Sequence, residues 1–371
     1  SDIHFEPRAD ALVVRLRVDG VLAETQRVPK RLSEGLTTLI KVKAKLDIAE
    51  RRKPQDGRIS LTSESAGRAL DIRVASLPTV EGEKIVMRLI DKSRSSPTLD
   101  SLGLPPGPLK GVRELLATPT GALLVTGPTG SGKSTTLYAG LGLVNTPERN
   151  IITVEDPVEY RIDGVNQVQV LARAGLTFAS ALRSILRSDP DIVMVGEVRD
   201  GETAQISIEA ALTGHLVLST LHTNDAPGAI TRLTEMGVEP FLVGAAVSGV
   251  LAQRLVRRLC DHCKQPYEPS EAEIEAAGFL AVAPDGLPGP IQRAGGCSSC
   301  GKSGYKGRTG VYQFMPMDDE MERLASASAT RDVIEEAARR KGMATLWEAG
   351  LSLVINGETS LEELGRVITD A

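Results

Sequence analysis

At 371 residues the chain is too long for one ordinary core and fits two or three domains. Aromatic residues make up only 3% and the net charge is −5, which argues against a nucleic-acid binder built on stacking platforms or a broadly basic face. The longest charge-free apolar stretch, Pro240 to Gln253, is shorter than the roughly 18 residues of a membrane-spanning helix.

No charged segment followed by an apolar core opens the chain, and its first residue is Ser1, so it reads as a fragment or a processed chain. Residues 1–92 alternate apolar and polar positions, and strands are predicted at Ala11–Val18, Ala69–Val74 and Lys84–Ile90. Between them, Leu32, Leu36, Leu39, Ile40 and Leu46 are spaced as on a helix, giving a small α+β domain. Residues 93–108 are rich in Ser, Pro and Gly and end in Pro105-Pro106-Gly107-Pro108. A helix or central strand cannot run through that sequence, which predicts an interdomain linker.

The apolar strand Gly121–Thr126 runs directly into Gly127-Pro128-Thr129-Gly130-Ser131-Gly132-Lys133-Ser134-Thr135-Thr136, a strand–loop–helix order with the glycine and lysine spacing of a phosphate-cradling loop. A chance glycine-rich turn is the bland alternative. Glycines let backbone N–H groups close on an anion, and the following helix adds its positive end. Lys133 would serve the β and γ phosphates of ATP, the Ser134 hydroxyl would coordinate Mg²⁺, and Thr135 offers a second hydroxyl.

Further short apolar runs at 123–126, 151–154, 191–195 and 216–221, separated by helix-length segments, predict a mostly parallel sheet with covering helices over 109–255. Ligands gather at the carboxyl ends of such strands. Glu155, Asp156 and Glu159 follow one run, and Glu197 follows another, with Gly196 where an Asp is usual. The first acids equally suit a solvated turn closed by Pro157. His215 and His222 bracket a strand; either could sense a γ phosphate, or serve only as a structural hydrogen-bonder.

The four cysteines form two pairs, Cys260/Cys263 and Cys297/Cys300, with the spacing of a zinc site. Two disulfides or redox thiols are the alternatives, and His262 is expected outside the ligand set. Ala- and Glu-rich helical sequence is predicted to run to the end, so that 256–371 forms a tetracysteine module with C-terminal helices.

Together GPTGSGKSTT at 127, ITVEDPVEY at 152, LRSILRSDPDIVMVGEVRD at 182 and LTGHLVLSTLHTNDA at 212 resemble the four boxes of the secretion ATPase superfamily. With SDIHFEP, ERRKPQDGRI, LPTVEGEKIVMRL and the cysteine pairs, the likeness covers nearly the whole chain and points to the GspE/PilB branch. The resemblance implies a RecA-like P-loop ATPase domain, a PAS-like N-terminal domain over 1–92 and a zinc-binding C-terminal module. It implies a cytoplasmic homo-hexamer at the inner membrane, peripheral to it, working with a platform protein and cytoplasmic docking proteins and binding no nucleic acid. A further N-terminal docking region, present in family members, is expected to be missing here.

By position in the family's boxes Glu159 resembles the general base and Glu197 the Walker B acid, with Glu155, His215 and His222 also at the site. Arg58 and Arg73 align with arginines that reach the phosphates, although from pattern alone they read as exposed strand charges. LHTNDAPGAITRLTEMGVEPFLV and NQVQV look closer to pilus-extension ATPases, so a type IV pilus motor is expected, with a type II secretion ATPase as the alternative. A nucleic-acid motor using Arg254-Leu-Val-Arg-Arg258 as its basic contact is a third reading.

Overall fold

The computed structural model describes residues 2–63, 68–91 and 97–368, and the chain divides into two units, 1–95 and 96–371. The first unit turns its period-two alternation into strands β1 (Asp2–Pro7), β2 (Ala11–Val18) and β3 (Val21–Pro29), helix α1 (Lys30–Lys43), and strands β4 (Gln55–Ser63), β5 (Arg68–Thr79) and β6 (Gly82–Asp91). The sheet order is β3-β2-β1-β6-β5-β4, every pair antiparallel. Ile40 and Ala44, at and just past the end of α1, pack on Ile59, Ile72, Val74 and Ile85, closing one face. Lys41 lies in that covered face with its ammonium 2.8 Å from Glu83 and 2.7 Å from the Glu50 carbonyl, so its buried charge is matched.

The second unit contains α2 (Pro106–Leu116), β7 (Gly121–Thr126), α3 (Lys133–Val144), β8 (Ile151–Glu155), β9 (Asn166–Gln169), α4 (Phe178–Ile185) and β10 (Ile192–Val195). It continues through α5 (Gly201–Leu212), β11 (Leu216–Leu221), α6 (Pro227–Glu235), α7 (Pro240–Ala246) and β12 (Val247–Leu259). A two-stranded ribbon, β13 (Gln265–Tyr267) and β14 (Ile291–Arg293), flanks α8 (Glu271–Ala277); β15 (Tyr305–Pro316) and helices α9 (Asp319–Ser326), α10 (Arg331–Arg340), α11 (Leu346–Ile355) and α12 (Leu361–Val367) complete it.

Its main sheet has the order β15-β12-β7-β11-β10-β8-β9, parallel throughout except for antiparallel β15. Strands β7, β8, β10 and β11 are buried at every position, which is why they read as unbroken apolar runs rather than alternating ones. The α/β class expected from the sequence is the class observed.

The structure departs from the sequence reading in three places. Residues 93–96 of the expected linker lie outside the described residues, and the rest of it is folded: Leu99 and Leu104 are buried beside Val112 and Leu116, and Pro106 starts α2. A proline in the first helical turn gives up no intrahelical bond, so the proline run begins a helix that it could not have continued. Strand β12 crosses the expected boundary at residue 255, and β15, in a region expected to be helical, pairs with it from Gly249↔Pro316 to Leu259↔Tyr305. The cysteine segment is thus an excursion between two neighbouring strands of the main sheet. The apolar stretch 240–253 is split between α7 and β12, and among the described residues no helix is long and apolar enough to cross a membrane.

Candidate nucleotide and metal sites

At the carboxyl end of β7 the chain turns into α3 through Gly127–Gly132. Gly127 has φ 147° and Gly132 φ 91°, and a Cβ would lie 2.5 Å from the Gln253 carbonyl at the first and 2.9 Å from its side-chain nitrogen at the second. Any other residue there would be strained and would press on β12. The loop is held from outside as well. Gln253, only 1% exposed, donates to the Ser131 carbonyl at 2.5 Å and accepts from the Thr136 hydroxyl at 2.8 Å. From the other side Thr126 exchanges bonds with Thr223 (2.6 Å between hydroxyls), tying the loop to the segment after β11.

Lys133, at the first position of α3, bends back to donate to the carbonyls of Gly127 (2.6 Å) and Pro128 (3.1 Å). Burial lowers its pKa to about 8; Glu197 pulls the other way and Arg254 pushes in the same direction. The Ser131 hydroxyl is buried and has no hydrogen-bond partner among the described residues. A helix N-terminus, an ammonium and an unmatched hydroxyl on one glycine-rich turn suit an anionic phosphate tail, and the next residue, Ser134, brings the hydroxyl that the sequence assigns to magnesium.

The four predicted acids lie at or after the carboxyl ends of β8 and β10, but in different settings. Glu197, just beyond β10, is close enough to Lys133 to bias its charge and contacts Arg199 (2.6 Å) and His222 (3.5 Å), which follows β11. At Gly196, where an Asp is usual, β8 passes close, and a Cβ would stand 3.2 Å from the Val154 carbonyl. Glu155 is turned inward: Tyr138, Thr153 (2.5 Å) and Gln167 (3.1 Å) all donate to its carboxylate, so it joins α3 to β8 and β9 rather than facing a ligand. Asp156 and Glu159 are exposed, and the Glu159 N–H reaches back 3.3 Å to the Tyr138 hydroxyl.

The structure does not bring His215 to this edge. It precedes β11, beside Gly121 at the amino end of β7, a full strand or about 17 Å from the loop. Its Nδ1 bonds the Ala210 carbonyl at 2.9 Å, the structural role open to it from the start.

In the first unit Arg58 on β4 stands directly opposite Arg73 on β5, which in turn faces Arg88 on β6, so three guanidinium-bearing positions share one face of the sheet. The charge of Arg88 is matched within the sheet, its Nε donating at 2.7 Å to Asp2, which stands opposite it on β1. The basic run at 254–258 is not a surface stripe. Arg254 is buried beside Gly127 and donates to the Asn224 carbonyl at 2.8 Å, Arg257 stacks 4.0 Å over the Tyr305 ring, and only Arg258 is exposed. Both Gln253 and Arg254 belong to the site, and the sequence reading missed that role. The one signal for them is a polar pair interrupting an apolar run in the middle of β12.

Cys260, Cys263, Cys297 and Cys300 bring their sulfurs within 4.8 Å of one another, at 3.9 Å for 260–297, 3.8 Å for 263–300 and 3.7 Å for 297–300, and all are free thiols. The N–H groups of Cys297 and Gly304 point at Cys300 and help to pull its thiol down to about 6. His262 is exposed and outside the cluster, as expected. Four convergent sulfurs could hold a metal ion.

Residues 1–366 match the family model described as "Type II/IV secretion system protein". The chain is 51% identical over 371 residues to the type II secretion system protein HxcR of Pseudomonas aeruginosa, covering 100% of this chain and 74% of that protein. It is 51% identical to the type II secretion system ATPase E of Vibrio cholerae (100% and 72% covered), and 49% identical to the type IV pilus assembly ATPase PilB of Thermus thermophilus (98% and 40%). Among solved structures, the pilus retraction motor PilT with bound ADP superposes with a TM-score of 0.65 at 25% identity, covering 100% of this chain and 93% of that one. The ATPase DotB of Legionella pneumophila shares the fold at a TM-score of 0.67 and 22% identity, with 99% and 90% covered.

Proposed function

The chain belongs to the type II/IV secretion system protein family, and from that premise we propose that it is an ATP-hydrolysing motor for the assembly of pilin or pseudopilin filaments. The observation that carries the reading is the meeting of Lys133, Glu197 and His222 at the carboxyl edge of one parallel sheet, around a loop whose shape requires glycine.

In this reading the loop N–H groups and Lys133 bind the triphosphate tail. Lys133 exchanges its two carbonyl partners for phosphate oxygens. Ser134 would hold a magnesium ion, which when bound would supply positive charge beside the phosphates. Glu197 stands next to Lys133 and keeps His222 oriented, while Glu159 accepts the proton of the attacking water.

The motor works as a hexameric ring at the cytoplasmic face of an inner-membrane machine, through a platform protein. The likeness to type II secretion and to pilus relatives is nearly equal, and the genes beside this one separate the two: a pilin and pilus-platform cluster against a type II secretion operon. We further propose zinc at the four cysteines. Sulfurs around a tetrahedral ion with Zn–S bonds of about 2.3 Å stand about 3.8 Å apart, the spacing of the three pairs given above.

The decisive test is Glu159→Gln. Steady-state turnover is expected to fall by about two orders of magnitude or more while ATP binding stays within about twofold. Turnover at the wild-type rate removes Glu159 as the base.

A further inference from the structure

The helix that begins at Lys133 carries, a turn and a half further along and about 7.5 Å down its axis, a tyrosine that nucleotide chemistry alone does not call for. Tyr138 is 2% exposed in the middle of the second unit's core. Its hydroxyl donates to the Glu155 carboxylate at the end of β8 and accepts the backbone N–H of Glu159 at 3.3 Å. Its ring meets that of Tyr160, the next residue, edge to face with centroids 4.6 Å apart. Glu155 is held in turn by Thr153 and Gln167, so its oxygen cannot swing away from the tyrosine.

We propose that Tyr138 is a positioning residue for hydrolysis, setting the peptide of Glu159 relative to the phosphate-binding helix. This inference rests on the reading of Glu159 as general base. The physical case is one of rigidity. Glu159 lies in an exposed stretch between β8 and β9 with no regular structure of its own, and a base must be held to within a fraction of an ångström to align a water. Tyr138 supplies two restraints from a single side chain, a hydrogen bond to the Glu159 peptide and a ring contact with its neighbour. Because that side chain is anchored on α3, any shift of the phosphate loop on binding ATP carries the base loop with it. A packing role alone would need only the ring; the bond to the Glu159 N–H is what a phenylalanine could not make.

The test compares wild type, Tyr138→Phe, Glu159→Gln and the double variant, measuring turnover alongside affinity for a fluorescent ATP analogue. Tyr138→Phe is expected to lower kcat about tenfold and leave KM and nucleotide affinity within about twofold. In the Glu159→Gln background the same change should cost nothing further, since the group through which it acts is gone. Tyr160→Leu, which loosens the segment without touching the buried carboxylate, should also lower kcat and not KM, and it stands in if Tyr138→Phe does not fold. Wild-type kcat in both tyrosine variants beside an inactive Glu159→Gln removes Tyr138 alone, and so does a full additional loss in the double variant. Normal turnover in Glu159→Gln removes the base itself, and the coupling with it.

Discussion

At the residue scale, the phosphate loop was legible because its requirements are local: glycines for left-handed backbone, a lysine and a hydroxyl at fixed offsets. Gln253 was not legible, because nothing within its own segment reveals that 122 positions separate it from a carbonyl it bonds. It holds the end of the loop at Ser131 and the first turn of α3 at Thr136, and is itself buried. Gln253→Leu keeps the volume and removes both bonds, leaving a buried carbonyl and hydroxyl unmatched at about 1–3 kcal/mol each. Part of that loss should appear as a weakened loop, and ATP affinity should fall by about tenfold or more in equilibrium binding. Affinity equal to wild type would mean that the loop keeps its shape without β12. The inward turn of Glu155 and the displacement of His215 to the far end of β11 have the same cause as the missed glutamine. A motif gives a residue's offset along the chain, whereas the side of a strand or helix it faces is decided by what packs there.

At the element scale, the strands that could be read were those whose sequence follows a simple pattern, nearly continuous apolar runs for β7, β8, β10 and β11, and alternation of apolar and polar residues for β2 and β6. Strand β15 was hidden because its first half, Tyr305-Lys-Gly-Arg-Thr-Gly310, carries two glycines and three polar residues; pairing to β12 rather than propensity makes it a strand. That pairing is closed at its far end by α12, through Glu363. Its carboxylate is fully buried and receives the Arg257 N–H (3.0 Å) and guanidinium (2.7 Å) and two bonds from Arg366 (2.7 and 2.6 Å). Burial alone would raise the pKa of this acid, but the bonds from Arg366 and Arg257 outweigh it and hold the group at about 2, against an ordinary 4.5. A folded-state pKa below the unfolded one favours the fold where the unfolded chain is already ionised, so the contribution, about 3 kcal/mol, is complete above about pH 5 and disappears as pH falls towards 2. Denaturant unfolding at pH 6 and pH 3 should therefore show the gap between wild type and Glu363→Gln narrowing at the lower pH. A gap of the same size at both would mean that the pair of arginines does not set this acid's charge.

At the scale of the whole molecule, the four cysteines sit on an excursion that leaves the main sheet at Leu259 and rejoins it at Tyr305, and the question is how far loss of their metal is felt. Between these points the only sheet is the short ribbon of β13 and β14, and the cysteine turns are exposed or half-buried apart from Cys260. Ala277, Phe279 and Ile291 join the main core, but the cysteine turns on either side of them bury little apolar surface, and there a metal bound to four thiolates would supply folding free energy. The β12–β15 ladder is different. Val250, Leu251, Ala252 and Val256 are completely buried, and Gln253 with its two loop bonds lies in the middle of the strand, well inside the ladder's paired length. Treatment of the protein with a strong chelator should accordingly release about one zinc per chain and open the 261–304 region to proteolysis. ATP affinity should stay within a few-fold of the untreated protein, because the anchor of the phosphate loop does not pass through the metal. Loss of nucleotide binding in step with metal release would place the cysteine module inside the structural support of the nucleotide site, and an undisturbed 261–304 region after complete metal removal would mean that its own packing suffices.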